Sequence, residues 1–323
     1  MQALVGILAV TFPFFALVLC GYLAARSRLL PLDAVAGLNM FVLYFALPCM
    51  LFRFGGTTPA AQLFHPVIAL LWLAVAATVV AATAGWARRH GARWPDAAMG
   101  ALVAAFPNSG FMGVPLILAL LGPGAVGPVM ATLLVDLAVT TSLCIGLSQW
   151  GAAGEHGPAK AVASALRGVL RNPMPWSILL GALSGIWGLT PWAPLGKTVQ
   201  LLADAASPVA LFTIGAVLAR SRMRPAAAAD GAAPPRDVAV LVAAKLLLHP
   251  LLVWGMGLLA VRAGALTAPA LASLVLVAAL PAASNVSLLA ERFGADNGRV
   301  ARVILWSTAL AFFSFSAAVA WLR

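Results

Sequence analysis

The apolar segment from Asp96 to Leu121 is long enough to cross a bilayer, yet at mid-depth it reads Ala105-Phe106-Pro107-Asn108-Ser109-Gly110-Phe111-Met112-Gly113-Val114-Pro115. A helix in hydrocarbon has to satisfy its own backbone, because lipid offers no hydrogen-bond partner. Two prolines, two glycines and an asparagine interrupt that ladder. The interruption is tolerable only where the freed groups face protein or a water-filled cavity. It marks either a structural kink or a binding site, and a second interruption decides between them. The run from Pro269 to about Ala290 contains Ala279-Leu280-Pro281-Ala282-Ala283-Ser284-Asn285-Val286-Ser287, with the same order of apolar residues, proline, Ser and Asn. The first break falls in the fourth apolar segment and the second in the ninth. Two copies of a five-helix unit would place both at position four. Paired broken helices in corresponding positions of two halves point to a transporter's substrate site.

The remaining segments support the reading. With 63% hydrophobic and 9% charged residues over 323 positions, and a mean hydropathy of +1.00, the chain is an all-α integral membrane protein. The ten expected spans are 4–25, 34–54, 66–87, 97–121, 126–149, 172–189, 197–219, 237–261, 269–290 and 300–322. They divide into a first five-helix repeat at 1–150, a linker at 151–171 and a second repeat at 172–323. The first span is too long an apolar run for a signal-peptide core. Cys20, Cys49 and Cys144 are widely spaced within apolar segments and show no disulfide or metal pattern.

The net charge of +11 would suggest nucleic acid in a soluble chain, but here its placement assigns orientation instead. With the amino terminus outside, the odd-numbered connections are cytoplasmic and carry fifteen basic residues. Arg26, Arg28, Arg88, Arg89 and Arg93 are in the first half. The second half and the linker add Lys160, Arg167, Arg171, Arg220, Arg222, Arg224, Arg236, Arg292, Arg299 and Arg302. The opposite side holds only Arg53, Lys197, Arg262 and Arg323. This asymmetry places both termini on the non-cytoplasmic side of a multi-pass inner-membrane protein. An odd number of spans per copy also inverts the second copy. Span two and span seven echo each other through Pro48 with Phe52 and Pro208 with Phe212.

Polar residues inside the spans are the candidate site. Asn108, Ser109, Asn285 and Ser284 sit at the breaks. The helix resuming after each break presents free N–H groups and a positive dipole end suited to a carboxylate, and the half-helix ending there offers carbonyls suited to a cation. The alternative is that Asn and Ser only satisfy the broken backbone. Lys245 lies within span eight, with His249 four residues on and therefore on the same face. An intramembrane lysine is either functional or snorkels to the interface. His249 is either functional or bonds a backbone carbonyl. Asp136, mid-span five, can pair with Lys245, carry a coupling proton or ligate a cation; a structural ion pair is the alternative. Asp204, Asn39 and Gln200 are minor candidates. The chain has no phosphate-binding glycine loop, HExxH, GxSxG or clustered His/Cys ligands. The reading is a transporter driven by an ion gradient or by its substrate's own gradient, with no catalytic residues, no resident metal and no cofactor beyond a coupling Na⁺ or H⁺.

At Phe106-Pro107-Asn108-Ser109-Gly110-Phe111-Met112-Gly113-Val114-Pro115-Leu116 the chain resembles the auxin efflux carrier family, whose bacterial members are described as malonate or organic-anion permeases. Leu47-Pro48 with Phe52, Asn172-Pro173, Pro208 with Leu211-Phe212, Lys245-Leu246 with Pro250, and Leu280-Pro281-Ala282-Ala283-Ser284-Asn285-Val286 look like the same family's pattern. The resemblance implies a ten-helix inverted repeat, similar to the bile-acid symporter and sodium/proton antiporter fold, with spans four and nine crossing at their breaks. It further implies a mobile core of spans 3–5 and 8–10 and a scaffold of spans 1, 2, 6 and 7 that dimerises. On that carry-over Asn108 and Asn285 with Pro107 and Pro281 lie at the crossover and contact a small organic-anion substrate; Ser109, Gly110 and Ser284 beside them complete the candidate substrate site, and Asp136, Lys245 and His249 are the candidate coupling residues. The chain departs from plant members in lacking a long hydrophilic central loop and an acid in span three. The expected function is elevator-type transport of a carboxylate through the lipid bilayer. The rivals are a sodium-coupled bile-acid-like symporter, which a cage of acidic residues would favour, and a non-transporting membrane sensor, which an appended soluble domain would favour.

Overall fold

The computed structural model describes residues 2–150, 170, 173–189, 191–223 and 235–322. The linker at 151–171, apart from Leu170, lies outside them, as do Arg224 and residues 225–234, Asn172 and Arg323. The described residues form helices and their connections, with no strand among them. In chain order these are α1 (Gln2–Arg26), α2 (Ala34–Thr57), α3 (Pro66–Arg89), α4 (Trp94–Ala105), α5 (Ser109–Leu121) and α6 (Pro123–Gln149). There follow α7 (Pro173–Ile186), α8 (Ala193–Met223), α9 (Arg236–Arg262), α10 (Ala268–Ala279), α11 (Val286–Arg292) and α12 (Asn297–Leu322). Six helices among the described residues are long and apolar enough to cross a membrane, so the chain passes through it repeatedly. Each expected span meets its helix within a few residues, and the fourth and ninth are each split in two at the anticipated break.

Two groups of helices pack against each other. In one, α1 lies along α8 and α2 lies along α7, with α8 also touching α2. In the other, α3 packs on α4, α4 on α6, α9 on α10 and α3, and α10 on α12. Glycines set the spacing in the first group. A Cβ on Gly21 would stand 1.8 Å from the Phe212 carbonyl oxygen, and one on Gly181 would stand 2.1 Å from that of Phe52. Gly215 meets the Val18 carbonyl and Gly55 that of Ile178 in the same way. Helices this close pack through backbone contact, which only glycine permits, as is common between membrane helices. The four contacts form two pairs related by one constant sequence offset, and Phe52 and Phe212 are the residues at which the halves already echo each other in sequence.

Arg299 is an exception to the charge reading. It is 2% exposed rather than set in an aqueous connection. Its guanidinium grips both oxygens of Asp237 on α9 and donates through Nη1 to the Asp96 carbonyl at 2.6 Å. The Asp96 side chain accepts from the Asp296 N–H at 2.7 Å. Gly100 leaves the room, since a Cβ there would lie 2.7 Å from Arg299 Nη1. The starts of α4, α9 and α12 are thereby clamped together. A hydrophobicity pattern cannot reveal this pairing, because the partners are far apart in the chain.

Candidate functional site

The two interruptions meet. Helix α4 ends at Ala105, where Phe106 and Pro107 leave the helical path, and Pro107 forms an antiparallel bridge with Ala282. The Asn108 N–H donates to the Pro281 carbonyl at 2.9 Å, and the Ala283 N–H donates to the Phe106 carbonyl at 3.0 Å. Ser307 on α12 accepts from the Ala282 N–H at 3.2 Å. Each break therefore supplies hydrogen-bond partners that the other has lost, which is what keeps irregular backbone stable at this depth.

That solution leaves the asparagine side chains free. Neither Asn108 nor Asn285 caps the helix it precedes, and neither amide makes a side-chain hydrogen bond among the described residues. Asn108 is 4% exposed. Backbone repair is therefore not what these amides do. Both border a cavity of about 20 Å³, together with Pro107 and Gly110. Its other wall is apolar: Leu47 and Leu51 from α2, Met174 from α7, and Leu133 and Leu137 from α6. The space holds about one water, too little for a carboxylate substrate as it stands. Ser109, Ser284 and Pro281 do not line it. Ser109 is fully buried, with its hydroxyl 3.5 Å from the Pro107 carbonyl, and the Ser284 backbone carbonyl accepts from the Ser287 hydroxyl at 3.0 Å. Asn39, Gln200 and Asp204 are not brought to this cavity either. Gln200 bonds Lys197, and Asp204 pairs with Arg53 at 2.6 Å where both are substantially exposed, a kind of contact worth little.

The resuming helices are unequal. Helix α5 begins with a π-helical turn, Ser109–Gly113, in which the N–H groups of Met112 and Gly113 both donate to the Asn108 carbonyl. Gly110 and Phe111 lie in that first turn, where N–H groups lack intrahelical partners, and both line the cavity. Helix α11 has only seven residues, so the positive end that faces the cavity belongs mainly to α5.

Behind the breaks is a buried polar cluster. Lys245, on a π-helical turn at Ala244–Leu248, has no exposed surface and donates to the Ala278 carbonyl at 2.7 Å. Ala278 is in the last turn of α10, where carbonyls lack helical partners and the dipole end is negative. A half-helix end that suits a cation thus already holds one, and Lys245 does not snorkel. Its ammonium also lies 3.1 Å from His249 Nδ1. The other ring nitrogen, Nε2, is buried with no hydrogen-bond partner among the described residues. His249 therefore does not bond a backbone carbonyl; its ring packs 5.1 Å from that of Trp72 on α3.

Asp136 opens another π-helical turn, Asp136–Thr140, and is fully buried. The Thr140 hydroxyl donates to Oδ1 at 3.0 Å, while Oδ2 has no hydrogen-bond partner. The Trp72 indole faces this carboxylate but falls short of hydrogen-bond geometry, and its Nε1 is also unpartnered. Among the described residues Asp136 and Lys245 form no direct ion pair, which corrects the structural-pair alternative. The π turns were illegible in the sequence, although such turns recur at functional sites. On the face opposite the arginine-rich connections, a cavity of about 630 Å³ is bordered by Gln62, His65, Ile68, Pro128, Thr267 and Ser273. Ile68 is one helical turn from Trp72, and Pro128 is two turns from Asp136.

Comparison with known proteins gives the family. A family model described as "Membrane transport protein" matches residues 7–319. The chain is 30% identical to a Rhizobium meliloti (strain 1021) protein named "Putative malonate transporter", over 92% of this chain and 90% of that one. It is 26% identical to "Uncharacterized transporter YfdV" of Escherichia coli (strain K12), over 87% and 86% of the two chains. An "Uncharacterized transporter" of Methanothermobacter thermautotrophicus is 27% identical over 92% of each. With a family match across nearly its whole length, and with the interrupted motif at Phe106–Leu116 built into joined helix breaks, the chain belongs to the membrane transport protein family of auxin efflux carriers and is a transporter, not an enzyme.

Proposed function

We propose that the protein is a secondary transporter that carries a small organic anion, a mono- or dicarboxylate, across the cytoplasmic membrane by alternating access. The observation that carries this reading is the buried, unpartnered Asn108 amide beside the open first turn of α5, in a small cavity that also reaches Asn285. Amide and backbone N–H groups converging at a positive helix end suit a carboxylate, and the apolar far wall suits its carbon skeleton. The relative named as a malonate transporter supports the same substrate class.

The architecture in this reading is a ten-span inverted repeat, 1–150 and 172–323, joined by a cytoplasmic linker. The paired glycine contacts support it: α1 meets α8 as α7 meets α2, with equivalent residues touching. Spans 3–5 and 8–10 are the moving core and spans 1, 2, 6 and 7 the scaffold, through which two copies pair. The cavity lies where α2 and α7 face the breaks, so an elevator-like shift of the core past that wall would open it to either side. Both termini lie outside, on the charge asymmetry of the connections.

Coupling is assigned to Asp136. Its free oxygen, together with an indole donor and an imidazole, makes a poor cage for a metal cation but a suitable proton site, and Lys245 already occupies the α10 carbonyl end. The 630 Å³ outer cavity supplies an approach for that proton. Counterflow into proteoliposomes across a panel of carboxylates tests the proposal. Exchange of small carboxylates, absent for neutral and cationic analogues, is expected. No exchange of any carboxylate, or preference for a bulky steroid acid driven by sodium, would overturn it.

A further inference from the structure

A second cavity has no part in the substrate site. An open groove of about 900 Å³ runs between α9 and α12. On α9 it is walled by Val238, Val242 and Leu246 with their neighbours Ala239, Ala243 and Leu247, successive turns of one helix face. On α12 it follows Arg302, Trp306, Leu310, Phe313 and Ala317. Trp306, Leu310 and Phe313 are exposed at 48%, 45% and 70%, so the groove opens outward from the bundle. From Arg302 to Ala317 it extends about 22 Å along the helix axis, enough for an acyl chain to cross one leaflet.

Its one charged lining residue is what distinguishes it from an ordinary lipid-facing surface. Arg299, one turn earlier on α12, is held by Asp237. Arg302 makes no hydrogen bond or ion pair among the described residues, and its Nε is buried without a partner. A guanidinium at the end of an apolar groove lacks an anion, and its planar fork matches a phosphate. This end of α12 belongs to the arginine-rich side, where a membrane presents anionic headgroups to basic pockets between helices.

We propose that this groove binds one anionic phospholipid, with its phosphate on Arg302 and an acyl chain along α9 and α12. The site is independent of the carboxylate site and rests only on the protein's membrane embedding. The lipid would press on Leu246 and Leu247, which share their π-helical turn with Lys245, so its occupancy supports the segment that docks on the Ala278 carbonyl.

Native mass spectrometry of the purified protein, exchanged into phosphatidylglycerol or phosphatidylcholine, tests this. Wild type is expected to retain phosphatidylglycerol with roughly fivefold preference, the selectivity one arginine near a membrane surface supplies. Arg302→Gln should erase the preference while leaving phosphatidylcholine retention unchanged. Ala239→Trp, an exposed position that a larger side chain would fill, should lower retention of both lipids with Arg302 intact. Equal retention of the two lipids by wild type would overturn the proposal. So would an undiminished preference in Arg302→Gln, unchanged retention in Ala239→Trp, or displacement of the lipid by inorganic phosphate alone.

Discussion

Removing the Asn108 amide separates a binding role from a structural one, because the two predict opposite effects on stability. The side chain is 4% exposed and makes no intramolecular hydrogen bond, while the backbone around it is repaired by the other break through Pro281 and Phe106. Asn108→Ala therefore breaks no side-chain hydrogen bond within the empty protein. A buried polar group without a partner costs about 1–3 kcal/mol, partly relieved here by the adjoining cavity, so the melting temperature is expected to hold or rise slightly. With a carboxylate bound, the amide gains a hydrogen bond to a charged group worth roughly 1.5–3 kcal/mol. Its loss should weaken affinity about tenfold to a hundredfold. Asn285→Ala should do the same, and the double variant need not be additive because both residues border one cavity. Equilibrium binding of the best counterflow substrate and thermal unfolding, measured on the same preparations, form the assay. A lowered melting temperature with unchanged affinity in either single variant would refute the reasoning and return that asparagine to the helix kink.

Four further outcomes are expected. Asp136→Asn keeps the side chain's shape but cannot exchange a proton, so proton-driven accumulation in proteoliposomes should vanish while counterflow persists; wild-type accumulation would remove Asp136 from coupling. Lys245→Met leaves the Ala278 carbonyl buried without its donor, and a stability loss of about 1–3 kcal/mol should appear as a lower melting temperature; an unchanged one would mean the contact is not formed. Asp237→Ala strands the buried Arg299 guanidinium and should cost about 3–5 kcal/mol, whereas Asp237→Leu with Arg299→Leu should restore most of it; equal losses in the two would refute the clamp. In a background without Cys20, Cys49 and Cys144, a membrane-impermeant thiol reagent should label Ala265→Cys on intact cells and Ser27→Cys only after permeabilisation; the reverse pattern would invert the topology.

Much of this molecule could be read from the chain alone, and for a physical reason. Hydrocarbon permits few backbone solutions, so apolar length marks the spans and a proline with small polar residues at mid-depth marks an interruption. The placement of Pro107-Asn108-Ser109 and Pro281-Ala282-Ala283-Ser284-Asn285 therefore located both breaks, whereas the matching glycine contacts of α1 with α8 and α2 with α7, which include Phe52 and Phe212, came only from the fold. Only the tertiary structure shows which partners the polar residues have. For Asn108 and Asn285 the sequence left backbone repair as the alternative to binding; in the fold the two breaks satisfy each other's backbone, and neither amide makes a side-chain hydrogen bond among the described residues. For Lys245 and Asp136 the sequence left a pair, a coupling proton and a cation ligand all open; in the fold Lys245 donates to the carbonyl end of α10, and Asp136 keeps one oxygen free. Arg299 counted as one more basic loop residue, because nothing local announces Asp237 as its partner. Local sequence carries the cost of leaving a helix in lipid, whereas the partner that answers each freed or charged group comes from a distant segment and is settled only by packing.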